Sequence, residues 1–329
     1  MSDVCPAEHE LVAFAAGAPE RRAELEAHLA SCERCRVAVA LLHSQPAEPV
    51  RPAGLQRRGD VVGRYVVLEF VGEGAMGRVY AAYDPVLDRK VALKLLHPLA
   101  DGPSAQERLL REAKALAKVS HPHLVAVHDA GSFGDSVFLA MEFVEGQTLR
   151  AWLAAAKRTE AELVDVFAQA GRGLAAAHEA GLVHRDFKPE NVLVGRDGRV
   201  RVSDFGLARE LSAPLPLEGP TPIRGGAAST HTGALVGTPA YMAPEQLGGE
   251  RADERADQFA FCVALAEALG GGRPFPENTL AQVRAGPKLT ASARLTKVLT
   301  RGLSAEPAAR YPSMSALLAA LRPPARRSS

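Results

Sequence analysis

The chain has 329 residues, 47% of them hydrophobic, with 39 Lys plus Arg against 38 Asp plus Glu. This length suggests about two or three compact units, and a formal charge of +1 argues against bulk nucleic-acid binding. No apolar run approaches the roughly 20 residues that span a bilayer; the best, Ala260–Leu269, is short and carries Glu267.

The start, M-S-D-V-C-P-A-E-H-E, lacks a basic leader and an apolar signal core. With no anchor after the last helical pattern, where the chain ends P-P-A-R-R-S-S, a cytoplasmic protein away from membranes is expected. Glu8–Ala16 reads as a short helix, and Pro19 opens a second one, E-R-R-A-E-L-E-A-H-L-A. It runs into His28-x3-Cys32-x2-Cys35. A His one turn before a Cys projects from the same side of the helix, and the C-x2-C knuckle folds the second thiolate back. Cys5 or His9 could complete a tetrahedral zinc site; Cys5, the softer ligand, is preferred. Clustered cysteines in a cytosolic chain favour a metal over disulfides. Residues 1–43 thus resemble the zinc-finger-like module of anti-sigma factors, which implies a sigma factor or other regulatory protein as partner.

Residues 44–62 form a linker punctuated by Pro46, Pro49 and Pro52 and basic at its end. Arg64–Val71 alternates like a strand, and Gly72–Val79, G-E-G-A-M-G-R-V, follows it. Because R-V-Y-A-A-Y-D reads as a returning strand, the glycines sit in a hairpin. A dinucleotide fold would instead use them to open a helix. Glycines permit the turn and let backbone N–H groups approach phosphates. In V-A-L-K, Val91 and Leu93 face one way, Ala92 and Lys94 the other. Ser104–Val119 has helical periodicity, with Ser104 as N-cap and Glu107 three residues on. His121, His123 and His128 lack a carboxylate or Cys at ligand spacing and read as turn and core residues. Val137–Gly146, V-F-L-A-M-E-F-V-E-G, is a further strand.

Thr148–Ala156 and Glu160–Ala180 are helical, with Trp152 a packing residue. They lead to His184–Asn191, H-R-D-F-K-P-E-N, and then to Ser203–Gly206, S-D-F-G. Asp186 could accept a proton from a hydroxyl and Lys188 could neutralise a phosphate. Asn191 and Asp204 offer oxygens to a hard cation. Phosphoryl transfer needs these residue types, since positioning and charge neutralisation are most of the work. Between the motifs lie a short strand, Val192–Val194, and a tight turn at Arg196–Arg199.

These motifs, in this order, resemble a protein kinase of the bacterial Hanks type, over Arg64–Leu321; the lysine two residues after Asp186 resembles the serine/threonine branch. The resemblance implies an α+β, two-lobed fold: a β-rich small lobe over 63–143, a helical large lobe over 144–321 and a tail over 322–329. It implies ATP between the lobes, lined by Val71, Gly72, Gly74, Gly77, Val79, Ala92, Met141 and Leu193. Backbone groups of Glu142 and Val144 would bond the base, and Lys94 would hold the α- and β-phosphates. Glu112 would pair with Lys94, with Glu107 the competing carboxylate. Asn191 and Asp204 would hold magnesium or manganese. In the long segment Leu207–Thr238, Thr230 and Thr232 resemble autophosphorylated threonines whose phosphate Arg185 would bind, with a homodimer as one route; Thr238 would contact Asp186 and Lys188. G-T-P-A-Y-M-A-P-E, Gly237–Glu245, resembles the substrate-docking loop, with Glu245 paired to Arg310 and Asp257 anchoring the catalytic loop. Residues 275–294 are shorter than the family leads one to expect. The implied activity is ATP-dependent phosphorylation of protein Ser/Thr. The alternatives are a pseudokinase scaffold, which would want a catalytic position vacated, and an anti-sigma-like binder.

Overall fold

The computed structural model describes residues 5–7, 11, 14, 22–32, 35, 39, 56–74, 76–97, 103–205, 239–250 and 252–322; at 22, 103–106, 108, 112 and 239 it describes the backbone alone. Helix α1, Arg22–Ser31, belongs to the N-terminal module, where Leu11, Leu25, Cys35 and Val39 make a small core.

A six-stranded antiparallel sheet follows, in the order β1-β2-β3-β4-β6-β5. The strands are β1 (Val61–Val62), β2 (Tyr65–Gly74), β3 (Gly77–Asp84), β4 (Arg89–Leu96), β5 (Val127–Phe133) and β6 (Ser136–Glu142). Val61 and Val62, read from the sequence as linker, pair with Val66 and Tyr65, so the sheet begins earlier than expected. Two-residue side-chain alternation gives the sheet two buried faces. Val91, Leu93, Phe138 and Ala140 face a core with Tyr65 and Tyr80. Val137, Leu139, Met141 and Leu96 face Leu109 and Ala113 of α2, Pro103–Leu116. That helix starts at Pro103, so Ser104 lies inside its first turn and is not its N-cap; proline suits a first helical position, whose N–H has no helical partner.

The second unit holds a small sheet, β7 (Gly146–Thr148), β8 (Val192–Gly195) and β9 (Val200–Val202), among helices. They are α3 (Leu149–Ala155), α4 (Glu160–Glu179), α5 (Pro244–Leu247), α6 (Glu254–Gly270), α7 (Leu280–Ala285), α8 (Ala293–Gly302) and α9 (Met314–Leu321). Thr159 and Glu162 close a capping box that starts α4. Helix α6 is buried from Ala256 to Ala266, and Phe261 packs edge-on to Phe167 of α4 at 5.5 Å. In the shortened stretch the six-residue α7 remains, and Phe275 stacks on Phe259.

The two units are joined along two seams. One is the chain itself, from Glu142 into β7. The other is the segment before β5: Val125 N–H donates to Val202 O, and Val202 N–H donates to His123 O, both at 2.9 Å. Gly173 makes this approach possible, because a Cβ there would overlap the His123 carbonyl.

Candidate active site

The glycine hairpin closes with Gly74 opposite Gly77 and Gly72 opposite Val79, as its reading from sequence required. Gly77 has φ +150°, and a Cβ on it would overlap the Leu95 carbonyl oxygen of β4. A Cβ on Gly72 or Gly74 would meet nothing within 4 Å. Both border open space, which fits a phosphate chain lying against backbone N–H groups. Val71, beside them, is 56% exposed.

Sheet register gathers the expected nucleotide-pocket residues. Val79 lies opposite Lys94, and Ala92 lies opposite Met141. Lys94 and Ala92 are two apart on β4, so all four share one face. Lys94 is only 7% exposed, and its Nζ sits 2.6 Å from Asp204 Oδ1 and 4.0 Å from Met76 Sδ. The expected Lys94–Glu112 pair falls partly outside the described residues, since only the backbone of Glu112, on α2, is described. Among the described residues, the carboxylate on Lys94 is that of Asp204. Of Glu142's two backbone groups, the N–H is already committed to Ala126 O at 2.8 Å. Only the carbonyl of Glu142 is therefore left for a base, which narrows the sequence expectation.

The catalytic-loop residues converge on Asp186. Lys188 Nζ lies 2.8 Å from Asp186 Oδ2. Asn191 Nδ2 donates to the Asp186 carbonyl at 2.9 Å and to Oδ2 at 3.3 Å. Both side-chain bonds fall on Oδ2, so Oδ1 stays available to a hydroxyl. With its nitrogen turned to Asp186, Asn191 presents Oδ1 the other way, as a cation ligand requires. Leu193 sits on β8 opposite Arg201 of β9.

Asp257 on α6 fixes this loop. Its carboxylate accepts from His184 N–H at 2.8 Å and Arg185 N–H at 2.7 Å, and lies 2.8 Å from His178 Nε2. His184 Nε2 reaches Ser203 O at 2.8 Å, and Ser203 N–H returns to Asn191 O at 2.9 Å. The loop and the turn bearing Asp204 are thereby held at fixed spacing. Arg185 and Asp204 both have left-handed backbones, with φ +65° and +58°. Such residues cost about 1–3 kcal/mol each and persist only where the surroundings impose them. Asp257→Asn halves the acceptor capacity facing two buried N–H groups. We expect it to destabilise the fold by about 1–3 kcal/mol and to lower turnover, read by urea titration beside an activity assay.

Sequence reasoning missed one bracing residue. Arg201, 6% exposed, donates to Asp197 Oδ2 at 2.8 Å and lies 3.1 Å from Glu142 Oε1 at the end of β6. Its guanidinium bonds hold the Asp197 carboxyl well below the usual range. A charge between Val200 and Val202 in a buried strand was the available signal. The loop that resembles a docking loop is braced as well: Gln246 Nε2 donates to Arg185 O at 3.0 Å, and Asn278 Nδ2 to Met242 O at 2.9 Å. Arg310 makes a bidentate pair with Glu245, at 2.7 and 2.8 Å, both buried. Gly206, Thr230, Thr232 and Thr238 lie outside the described residues.

A second candidate site lies in the N-terminal module. One ligand atom from each of Cys5, His28, Cys32 and Cys35 lies within 4.8 Å of the others. The Cys5 and Cys32 sulfurs are 3.8 Å apart. Two thiolates at ~2.3 Å from a tetrahedral zinc would be about 3.8 Å apart. His28 Nε2 is buried without a hydrogen-bond partner, which suits a metal ligand. The Cys35 backbone N–H brings the Cys32 thiol down to about 7, while burial raises Cys35 to about 11. His9, the competing fourth ligand, lies outside the described residues.

A two-lobed architecture with a glycine hairpin, a buried strand lysine and an Asp-Lys-Asn catalytic loop defines a class, and the family profile "Protein kinase domain" matches residues 65–318. The chain belongs to the protein kinase family. It is 39% identical over 223 residues to "Probable serine/threonine-protein kinase pknA2" of Bifidobacterium longum, covering 66% of this chain and 28% of that protein. It is 36% identical over 217 residues to "Serine/threonine-protein kinase PrkC" of Bacillus subtilis, covering 65% and 32%. The chain thus spans under a third of the length of either relative. Among solved structures, the Mycobacterium tuberculosis PknI kinase domain superposes with a TM-score of 0.63 at 28% identity, covering 81% of this chain and 98% of that one.

Proposed function

We propose that this chain is an ATP-dependent serine/threonine protein kinase. The observation that carries the reading is the convergence of Lys94, Asp204, Asp186, Lys188 and Asn191 from both units, under a glycine hairpin that borders open space. The names of the bacterial relatives support the Ser/Thr specificity. MgATP, when bound, supplies the phosphoryl group and a cation that spreads its charge. Asp186, held through Oδ2 by Lys188 and Asn191, orients an acceptor hydroxyl and takes its proton on Oδ1. Lys188 Nζ neutralises charge at the acceptor side and Lys94 Nζ on the nucleotide's phosphates. Asp204 and Asn191 Oδ1 would hold the cation, as hard oxygens suited to magnesium or manganese. Thr230 and Thr232 are the proposed activating phosphorylation sites, with trans transfer between two copies the route. Incubating the protein with γ-labelled ATP and magnesium should place label on serine or threonine. Bound nucleotide without any transfer would defeat the reading.

The N-terminal cluster is proposed to hold one structural zinc, supported by its sulfur spacing and by the orphaned His28 Nε2. Small cores commonly need such a staple. Purified protein should carry about one zinc per chain, and Cys32→Ser should lose it, as read by metal analysis. A regulatory protein, with a sigma factor as first candidate, is proposed to dock on this module; co-purification tests it. Four unpaired cysteines fit a reducing, cytoplasmic setting. Among the described residues, no helix is long and apolar enough to cross a membrane.

A further inference from the structure

Met76 stands at the tip of the glycine hairpin, just before Gly77. Its carbonyl accepts from the His97 N–H at 3.1 Å, which ties the tip to the end of β4. Its thioether is turned inward. Sδ lies 4.0 Å from Lys94 Nζ, and the side chain packs against the cluster that holds Leu96 and Leu109. An unbranched, polarizable side chain suits such an irregular gap between strand and helix.

Phosphoryl transfer makes no use of this sulfur, yet Met76 differs from the other methionines. Among the described residues, Met141, Met242 and Met314 are 8%, 5% and 1% exposed, whereas Met76 is only half-buried. Oxidation follows access, so Met76 is the methionine a small oxidant meets first. Lys94, beside it, has three N–H donors and no acceptor. One donor goes to Asp204 Oδ1 at 2.6 Å, and with the side chain 7% exposed, water competes poorly for the others. Where water is scarce, a hydrogen bond to an ion gains strength. A thioether is a weak acceptor; a sulfoxide oxygen is a strong one.

We propose that Met76 is a reversible oxidation site whose sulfoxide captures Lys94 and withdraws it from the phosphates of ATP. The oxidant is hydrogen peroxide. The sulfur lone pair attacks one peroxide oxygen, an S–O bond forms and the O–O bond breaks. The other oxygen takes up the proton and leaves as water, so the sulfur is oxidised and the peroxide reduced. An oxygen added on the lysine side of the sulfur fits the 4.0 Å gap and accepts from the ammonium. The phosphates then compete with it for the same donors. Methionine sulfoxide reductase reverses the change. The chain thus carries an oxidant-sensitive brake on nucleotide binding, separate from the cysteines of the N-terminal module. This inference rests on the kinase reading above.

The test uses the full chain as wild type and Met76→Leu, each compared with itself before and after hydrogen peroxide, and returned to dithiothreitol to reduce oxidised thiols. Peptide mass spectrometry should find sulfoxide at Met76 ahead of Met141, Met242 and Met314. Oxidised wild type should bind a fluorescent ATP analogue about tenfold more weakly, with KM for ATP rising in step. Methionine sulfoxide reductase should restore both, and Met76→Leu should scarcely respond to peroxide. Sulfoxide at Met76 with unchanged ATP binding overturns the proposal, as does an equal loss in Met76→Leu or oxidation that spares Met76. Should Met76→Leu not fold, loss and repair are read on wild type alone, and a loss that the reductase leaves in place overturns it. If untreated wild type neither binds ATP nor transfers phosphate, the kinase reading is what has failed. The capture of Lys94 is then decided by lysine acylation. Oxidation should slow labelling of Lys94 relative to the exposed Lys90, and an unchanged ratio overturns it.

Discussion

Asp186→Asn is expected to lower phosphoryl transfer by about a thousandfold or more while leaving ATP affinity within about twofold. The change is nearly isosteric, so the loop should keep its path, which is set by Asp257 and by the Asn191 bond to the Asp186 carbonyl. The chemistry is what fails. In the wild type, Oδ2 serves Lys188 and Asn191, which leaves Oδ1 for the acceptor hydroxyl. An amide has one oxygen, and two donors, Lys188 Nζ and Asn191 Nδ2, already compete for it. The NH2 group is then turned to the acceptor hydroxyl, opposing one donor with another and offering no base. General-base catalysis alone contributes about 10²–10⁴-fold, and the loss of anionic charge beside Lys188 adds to it. Steady-state transfer of labelled phosphate, beside nucleotide binding by fluorescence, checks both halves. Transfer within tenfold of wild type would remove Asp186 from the role of base.

The largest effect on stability should come from Arg310→Met. Arg310 is fully buried and Glu245 is 6% exposed, so removing one partner strands a charge with no access to water. Breaking such a pair costs about 3–5 kcal/mol. Arg310 also donates to the carbonyls of Ser304, Arg255 and Ala305, and those acceptors are stranded with it. For a domain of this size, about 2–4 °C per kcal/mol translates the loss into a Tm lower by roughly 6 °C or more. Adding Glu245→Gln to Arg310→Met should recover part of it, since the stranded anion is gone. A double variant no better than the single would assign the loss to the carbonyls instead. Glu245 also ends the loop that resembles a docking loop and lies in the first turn of α5, so the single variant should lose activity ahead of global unfolding.

What could be read in the sequence was whatever is local or carried by a motif. The hairpin placement of Gly72–Gly77 followed from the strand after it, and the Glu245–Arg310 pair and the Asp257 anchor came from motif position. Residues whose partners are fixed only by the fold were not legible. Arg150 meets Glu267 across 117 positions of chain, and nothing local marks either. The same holds for Arg201, whose buried charge was visible but whose partner Glu142 was not. The Ser104 cap and the start of the sheet at Val61 were misread because boundaries depend on hydrogen bonds that a periodic pattern does not specify. Lys94 illustrates a further limit: sequence can propose its partners, but whether Asp204 or Glu112 holds it is a property of conformation.

The twofold attachment between the units constrains how they can move. Glu142 is tied by its side chain to Arg201, and residues 123–125 are stitched to Val202, so the smaller unit is mounted like a door on two pins. Sliding or twisting across the cleft would shear both at once, whereas pivoting about the line between them disturbs neither. Opening for nucleotide exchange should therefore be a one-axis swing that raises the glycine hairpin and leaves the floor beneath the base undisturbed.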